Sequence, residues 1–197
     1  MARPRTIDDP TVLAAAARAM AEKGPARLTL GDVAAQAGLS SSTLLQRFGS
    51  KRGLLLAVCE AASPDARRRF AAVPRDGSDR LEALLGVFVD LVGGITREAM
   101  ANHIAFLGID VGDPEFRALA AAQAADLRDG AAALLSEAIE AGELHPASDP
   151  ITLARAVHVT FNGSLIAWAL DGDGALGNAL ESDLRTLLTP YRTTVPA

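Results

Sequence analysis

Apolar residues along the chain recur every three or four positions, which is the spacing of helices that bury one face. The widest such stripe predicts a helix over about 79–100. Its members are Leu81, Leu84, Leu85, Phe88, Val92 and Ile95. A smaller face predicts a first helix over about 9–23, and it consists of Val12, Ala16, Ala19 and Met20. The sequence shows no strand-like alternation of useful length and no internal repeat, so the pattern predicts an all-α fold.

Capping residues mark where further helices begin. An aspartate accepts hydrogen bonds from the first free N–H groups of a helix, and proline fits the first helical position because its missing N–H is not needed there. Asp-Pro pairs stand at 9–10, 113–114 and 149–150, and Ser63-Pro64 is a similar signal. Together with threonine, serine and glycine caps, they predict helices over about 30–37, 41–47, 51–62, 101–110, 114–141, 150–170 and 176–189.

Composition narrows the class of protein. Aromatic residues are only 4% of the chain, so its core consists mostly of alanine, leucine and valine, which favours helices over sheets. The single cysteine, Cys59, excludes an internal disulfide framework and a cysteine-based zinc site. His103, His145 and His158 lack the spacing of a metal motif, and the sequence has no glycine-rich phosphate loop. We therefore expect a protein that is not an enzyme and has no metal or cofactor.

Charge is distributed unevenly along the chain. The net charge is −5, yet up to residue 55 eight lysines and arginines stand against four aspartates and glutamates. The remainder of the chain is strongly acidic. A basic head of this kind favours contact with a polyanion. An excess of four charges is also compatible with simple variation in composition, so charge alone leaves both interpretations open.

The segment 156–170 is nearly free of charge but is too short to span a membrane. Arg155, His158 and Asn162 also interrupt its apolar surroundings. We expect a helix that is buried inside protein on several sides. No signal peptide is visible after Met1, because the first residues are basic and then acidic without an apolar run. The expected location is the cytoplasm.

Residues 30–51 have the physical features of two short helices that cross closely at a tight turn. Ala34 allows the close contact, and Gly38 supplies the positive φ that the turn needs. Apolar residues are spaced to point inward: Val33, Leu39, Leu44 and Phe48. The outward residues of the second helix are then Ser41, Ser42, Thr43, Leu45, Gln46 and Arg47. In a helix-turn-helix, the second helix lies in the major groove of DNA.

These residues resemble the N-terminal domain of TetR-type transcriptional repressors over about 9–58. The matching marks are Gly24, Thr29, Ala34, Ala37-Gly38-Leu39-Ser40, Thr43-Leu44, Phe48, Ser50-Lys51 and Leu54-Leu55. The resemblance implies a three-helix helix-turn-helix DNA-binding domain at 1–55 and a larger helical effector-binding and dimerisation domain at 56–197. It implies a ligand-responsive repressor that binds a palindromic operator as a homodimer and is released by a small molecule.

The resemblance and the chemistry of the side chains give the expected DNA contacts. They are Thr29, Ser40, Ser41, Ser42, Thr43, Leu45, Gln46, Arg47 and Lys51. Thr29 and Lys51 stand at helix starts and would hold phosphates. Gln46 is able to pair with adenine. An arm with Arg3 and Arg5 would reach the minor groove or the backbone, or is a solvated tail.

Two positions depart from the family pattern. The family usually has an aromatic residue, often tyrosine that reaches a phosphate, where this chain has Leu45. It often has histidine where this chain has Arg47, which would contact a phosphate or a guanine edge. Leucine has no hydrogen bond to donate. A helical adaptor with a TetR-like fold and lost or weak DNA binding is therefore the alternative function.

The C-terminal part carries two further expectations. The helices over 150–170 and 176–189 would form an intersubunit four-helix bundle, as in the family; the alternative is that the first of them is only the centre of a monomeric core. A largely apolar effector would lie among large apolar residues, with His103 and Asn162 as polar contacts. The candidates are Phe88, Val92, Met100, His103, Phe106, Leu107, Phe161, Asn162 and Trp168. The same residues would equally suit a closed core.

Overall fold

Helices make up almost all of the regular structure in the computed structural model, which describes residues 7–74 and 79–193. The described elements are α1 (Asp9–Arg27), α2 (Leu30–Ala37), α3 (Ser41–Phe48), α4 (Lys51–Ala62), α5 (Asp65–Ala71), α6 (Arg80–Leu91), α7 (Arg97–Gly112), α8 (Pro114–Glu140), α9 (Pro150–Asp171), α10 (Leu176–Leu188) and a 3₁₀ turn (Thr189–Tyr191). Over the described ranges there is no strand, only one isolated bridge between Leu144 and Arg192. The predicted all-α fold is confirmed.

The helix predicted over 79–100 is wrong in its extent. Helix α6 ends at Leu91, and Gly94 then adopts a positive φ of 72°. Thr96 starts the next helix, because its side chain accepts a hydrogen bond from the Ala99 N–H. Val92 is still buried although it lies beyond α6, so the apolar stripe continued through a turn. Helix α7 begins at Arg97, inside the range predicted for the preceding helix, and is therefore longer than the helix predicted over 101–110.

Helix α1 runs past its predicted end at residue 23 through a kink. Gly24 has a φ of 74°, and a Cβ at this position would lie 2.4 Å from the Asn102 side-chain oxygen. Asn102 donates a hydrogen bond to the carbonyl of Ala21 at 2.7 Å. Glycine is therefore required here both by the backbone and by the neighbouring helix α7.

The described residues form two compact units. The first unit comprises 7–64 and 96–120, and the second comprises 65–74, 79–95 and 121–193. Residues 114–120 of α8 belong to the first unit and the rest of that helix to the second. The functional boundary expected between residues 55 and 56 stays a prediction.

In the first unit, α1 packs against α2, α4 and α7. Small residues let these helices approach closely: Val12, Ala16 and Ala19, predicted to share one face, are fully buried. Met20 is half-buried. The rings of Phe106 and Phe116 pack edge to face at 5.6 Å in the same core. This core holds the two short helices α2 and α3 in place.

In the second unit, α10 buries every fourth residue against α6 and α9. The buried residues are Leu176, Leu180, Leu184 and Leu188. Three rings continue the core: Phe88 lies 6.0 Å from Phe70 and 5.2 Å from Phe161 between ring centroids. Helix α9 buries one side only, and its other side carries exposed apolar residues.

Candidate nucleic-acid interface

The turn between α2 and α3 has the geometry that the sequence predicts. Gly38 has φ 66° and ψ 33°, which is the left-handed region that glycine adopts without cost. The next helix starts after Ser40, whose side chain accepts a hydrogen bond from the Thr43 N–H. Ala34 and Leu44 are buried where the two helices meet. These contacts fix the direction of α3.

Helix α2 begins with a capping box. The Thr29 side chain accepts a hydrogen bond from the Asp32 N–H, and the Asp32 carboxylate accepts one from the Thr29 N–H at 2.8 Å. Lys23 forms an ion pair with the same carboxylate. The hydrogen bonds from Lys23 and Thr29 lower the pKa of Asp32 to about 2. The phosphate contact expected from Thr29 must therefore share its hydroxyl with Asp32.

Helix α3 presents a mostly polar face to solvent. Its exposed residues are Ser41, Ser42, Leu45, Gln46 and Arg47. Thr43 is half-buried, and its hydroxyl lies 2.8 Å from that of Ser40. The hydroxyl of Ser42 also lies 2.8 Å from that of Ser40. The Ser40 hydroxyl therefore binds both of the other hydroxyls at the start of α3.

Arg47 is tied to the start of α1. Its guanidinium forms an ion pair with Asp9 and donates a hydrogen bond to the Ile7 carbonyl at 2.8 Å. Asp9 and Arg47 are 38 positions apart, so only the folded chain brings them together. No local pattern of residues indicates this contact. The arm with Arg3 and Arg5 lies outside the described residues.

Lys51 lies in the first turn of α4 and is half-buried. Its ammonium donates a hydrogen bond to the Pro25 carbonyl at 2.6 Å. An ammonium has three N–H groups, so one such bond leaves others to donate. Ser50 caps α4 by accepting a hydrogen bond from the Gly53 N–H at 3.0 Å.

Arg52 makes a contact that sequence analysis missed. It donates two hydrogen bonds of 2.8 Å to Asp113 and also pairs with Glu115. Its guanidinium lies over the ring of Phe116, 5.6 Å from the centroid. Within the first unit, α4 is thereby tied to the start of α8. The partners are about 61 positions apart, so no local pattern in the sequence indicates the contact.

The predicted effector residues fall in two groups. In the second unit, Phe88, Val92, Phe161 and Trp168 are buried, and Asn162 is half-buried. In the first unit, Met100 and Phe106 are buried, Leu107 is half-buried and His103 is exposed. Phe88 and Phe161 touch each other, whereas Phe106 packs against Phe116. An open depression of about 290 Å³ in the first unit involves none of these candidates; it is lined by Leu56, Glu60, Glu115, Ala118 and Leu119.

Asn162 is paired with a histidine on the same helix. Its amide lies 3.1 Å from His158 Nε2 and donates to the His158 carbonyl at 2.9 Å. Burial, with Arg128 and Arg155 nearby, lowers the pKa of His158. The imidazole is therefore kept neutral near pH 7 and is able to share a hydrogen bond with the amide.

The described ranges contain neither a metal site nor a membrane-spanning helix. No group of three or more histidine, cysteine, aspartate or glutamate residues there is arranged to hold a metal ion. None of the described helices combines the length and the apolar composition that a membrane-spanning segment requires. Burial and the neighbouring Asp110 and Glu60 raise the pKa of Cys59 to about 11, so its thiol stays protonated.

A capped helix-turn-helix on an all-helical chain defines the class as a DNA-binding transcriptional regulator. The model of "Bacterial regulatory proteins, tetR family" matches residues 12–58, and that of "BetI-type transcriptional repressor, C-terminal" matches residues 77–190. The chain belongs to the TetR family of transcriptional regulators. The chemistry of this class is binding and not catalysis, so the protein is not an enzyme. A search among curated proteins finds no match.

Solved structures share the fold across nearly the whole chain. A transcriptional regulator from Rhodococcus sp. Rha1 is 21% identical with a TM-score of 0.73, covering 95% of this chain and 98% of its own. A regulator from Saccharomonospora viridis, solved in complex with choline, is 20% identical with a TM-score of 0.77, covering 91% and 94%. The regulatory protein TetR from Rhodobacter sphaeroides is 22% identical with a TM-score of 0.76, covering 94% and 100%.

Proposed function

We propose that the protein is a repressor that binds a palindromic operator in the cytoplasm as a homodimer and is released by a small molecule. The observation that carries this proposal is α3, whose polar face is exposed while α2 and the capping Ser40 hold its direction. A helix presented in this way fits the major groove. The basic excess of the first 55 residues adds attraction to the phosphates.

The proposed DNA contacts have two roles, one for base edges and one for phosphates. Ser41, Ser42 and Gln46 lie on the solvent face, and we assign base contacts to them, with Gln46 pairing with adenine. Lys51 and Thr29 would bind phosphates with the N–H and O–H groups at their helix starts. Ser40 and Thr43 would also contact DNA, through the hydroxyl cluster at the start of α3. Arg47 would hold α3 against α1 through its ion pair with Asp9, and its guanidinium would contact a phosphate or a guanine edge.

Dimerisation is proposed through α9 with α10. The outward side of α9 carries large apolar residues with exposed fractions of 74%, 59%, 42% and 78%: Ile151, Val159, Ile166 and Leu170. Gly163 and Ala167 are exposed between them and would let a partner helix approach closely. An exposed apolar stripe of this extent marks an interaction surface. A second copy fits it, because a palindrome presents two equal half-sites to a two-fold protein.

The effector is proposed to be small and largely apolar. Phe88, Val92, Phe161 and Trp168 supply buried apolar surface in the second unit, and Asn162 supplies a polar group. Such a mixture is typical of ligand pockets. The choline bound to the Saccharomonospora viridis regulator supports a small-molecule ligand for this fold. For Met100, His103, Phe106 and Leu107, which lie in the first unit, an effector contact stays a prediction from the sequence.

Two substitutions test the proposed roles. Lys51→Ala removes a phosphate contact and should weaken binding to every DNA sequence alike. Gln46→Ala removes a base contact and should change the preferred sequence more than the overall affinity. Fluorescence anisotropy with a panel of operator variants measures both. If the two variants behave alike across the panel, the division of roles is wrong.

The alternative function, a helical adaptor, is favoured by the apolar Leu45 at the centre of the exposed face of α3. The salt dependence of DNA affinity separates the two functions. A repressor should lose affinity steeply as salt rises, because phosphate contacts release counterions. An adaptor should show weak binding at every salt concentration.

A further inference from the structure

Leu45 is the exception on the DNA-facing side of α3. Its exposed fraction is 50%, whereas the neighbouring Leu44 is fully buried. The other exposed residues of this helix are polar or charged. A large apolar side chain in water gains free energy when an apolar group of a partner covers it.

The neighbours of Leu45 leave it as the longest apolar group on its face. Ser41 and Ser42 precede it by four and three positions, so they share the same side of the helix. Both side chains are short, and the Ser42 hydroxyl lies 2.8 Å from that of Ser40. Gln46 follows directly and is exposed. A base that approaches this face would therefore meet leucine methyl groups between polar contacts.

The chemistry of the major groove offers one apolar partner at the base edges. Adenine, guanine and cytosine present hydrogen-bond donors and acceptors there, whereas thymine also presents its C5-methyl group. Leucine cannot donate to a phosphate or pair with an acceptor. Covering a methyl group removes apolar surface of both groups from water, which is favourable.

We propose that Leu45 is a specificity-determining residue that contacts the C5-methyl group of a thymine in each operator half-site. The proposal rests on the proposed function, since it requires α3 to lie in the major groove. It assigns to Leu45 a base-reading role in place of a phosphate contact. An adenine recognised by the adjacent Gln46 would place A·T pairs side by side in the half-site.

The test replaces single thymines of a selected operator by deoxyuridine, which removes only the methyl group. At one symmetric position in the half-sites, this replacement should weaken the wild-type protein about fourfold for each methyl group, and so about fifteenfold for the two half-sites together. Leu45→Ala should bind the thymine and uracil operators equally. Leu45→Met keeps an apolar contact and should retain the preference for thymine.

Each other outcome overturns the proposal in a recognisable way. If every uracil operator binds the wild type as tightly as the thymine operator does, Leu45 contacts no methyl group although DNA binding stands. If uracil weakens wild type and Leu45→Ala equally, the methyl group acts through DNA shape. If folded wild-type protein selects no operator, the proposed function fails as well. The thermal midpoint of each variant checks that it folds, and because Leu45 is half exposed we expect little change.

Discussion

Single side chains decide how closely the helices of this protein pack, and Gly130 shows the effect most directly. A Cβ at this position would lie 2.2 Å from the Phe70 ring. Phe70 is itself buried and packs against Phe88. The glycine is therefore required by a neighbouring ring and not by its own backbone. Gly86 differs, since a Cβ there meets no atom within 4 Å.

This contrast gives a matched pair of substitutions. Gly130→Ala should destabilise the protein by about 1–3 kcal/mol, because the Phe70 ring must move out of a filled core. Gly86→Ala makes the same change at an exposed helical position and should stabilise by up to about 1 kcal/mol. Urea unfolding of both variants measures the free energies. Equal stability of the two variants would contradict the packing described here.

At the scale of the element, the capping box of α2 links stability to pH. The pKa of Asp32 is lowered from 3.8 to about 2, first by Lys23 and then by Thr29. A carboxyl group whose pKa is lower in the folded state stabilises that state above pH 3.8. The contribution is lost as pH falls from 3.8 toward 2. The cap of the helix that supports α3 therefore weakens in acid.

Asp32→Asn tests this link. The variant should have a lower thermal midpoint than wild type at pH 6, because it loses the charged partner of Lys23. The difference should shrink at pH 3, where the wild-type carboxyl begins to take up its proton. Lys23→Gln should reproduce part of the effect. A difference that is the same at pH 6 and pH 3 would contradict the role of the charge.

Element by element, local capping signals predicted most of the fold. The Asp-Pro pairs predicted the starts of α1, α8 and α9 to within one residue because a cap acts within its own turn. For α1 the predicted cap is wrong, since Asp8 and not Asp9 accepts the hydrogen bond from the Thr11 N–H. The division between α6 and α7 could not be read from hydrophobic spacing, since Val92 and Ile95 keep the apolar pattern beyond the helix end. Gly94 and Thr96 decide the break, and these are local signals that the stripe obscured.

Contacts between distant positions limit how much of the candidate site can be predicted from the sequence. Sequence spacing identified the exposed and buried sides of α3, because both follow from the helical period. It could not identify the partners of Arg47 and Lys51. Asp9 lies 38 positions from Arg47, and Pro25 lies 26 positions from Lys51. Only the packing of α1 against its neighbours brings these groups together.

At the scale of the whole molecule, the exposed stripe of α9 determines the proposed assembly. Val159→Glu places a charge in the stripe, which would be buried without a partner in a dimer. The variant should be a folded monomer with much weaker operator binding. Light scattering after size-exclusion chromatography measures the mass, and anisotropy measures the affinity.

Val111→Glu is the matched control. Val111 is 70% exposed, close to the 59% of Val159, but it lies on α7 in the first unit. The same substitution there should leave the dimer intact. If Val159→Glu remains dimeric, or if both variants dissociate alike, α9 is not the dimer surface.

Operator binding by a two-fold dimer is tested most simply by selecting genomic fragments with the purified protein near physiological salt and sequencing them. We expect an enriched palindrome whose half-sites match a two-fold dimer with one α3 helix in each. A folded, dimeric protein that enriches no sequence would contradict this expectation and favour the adaptor.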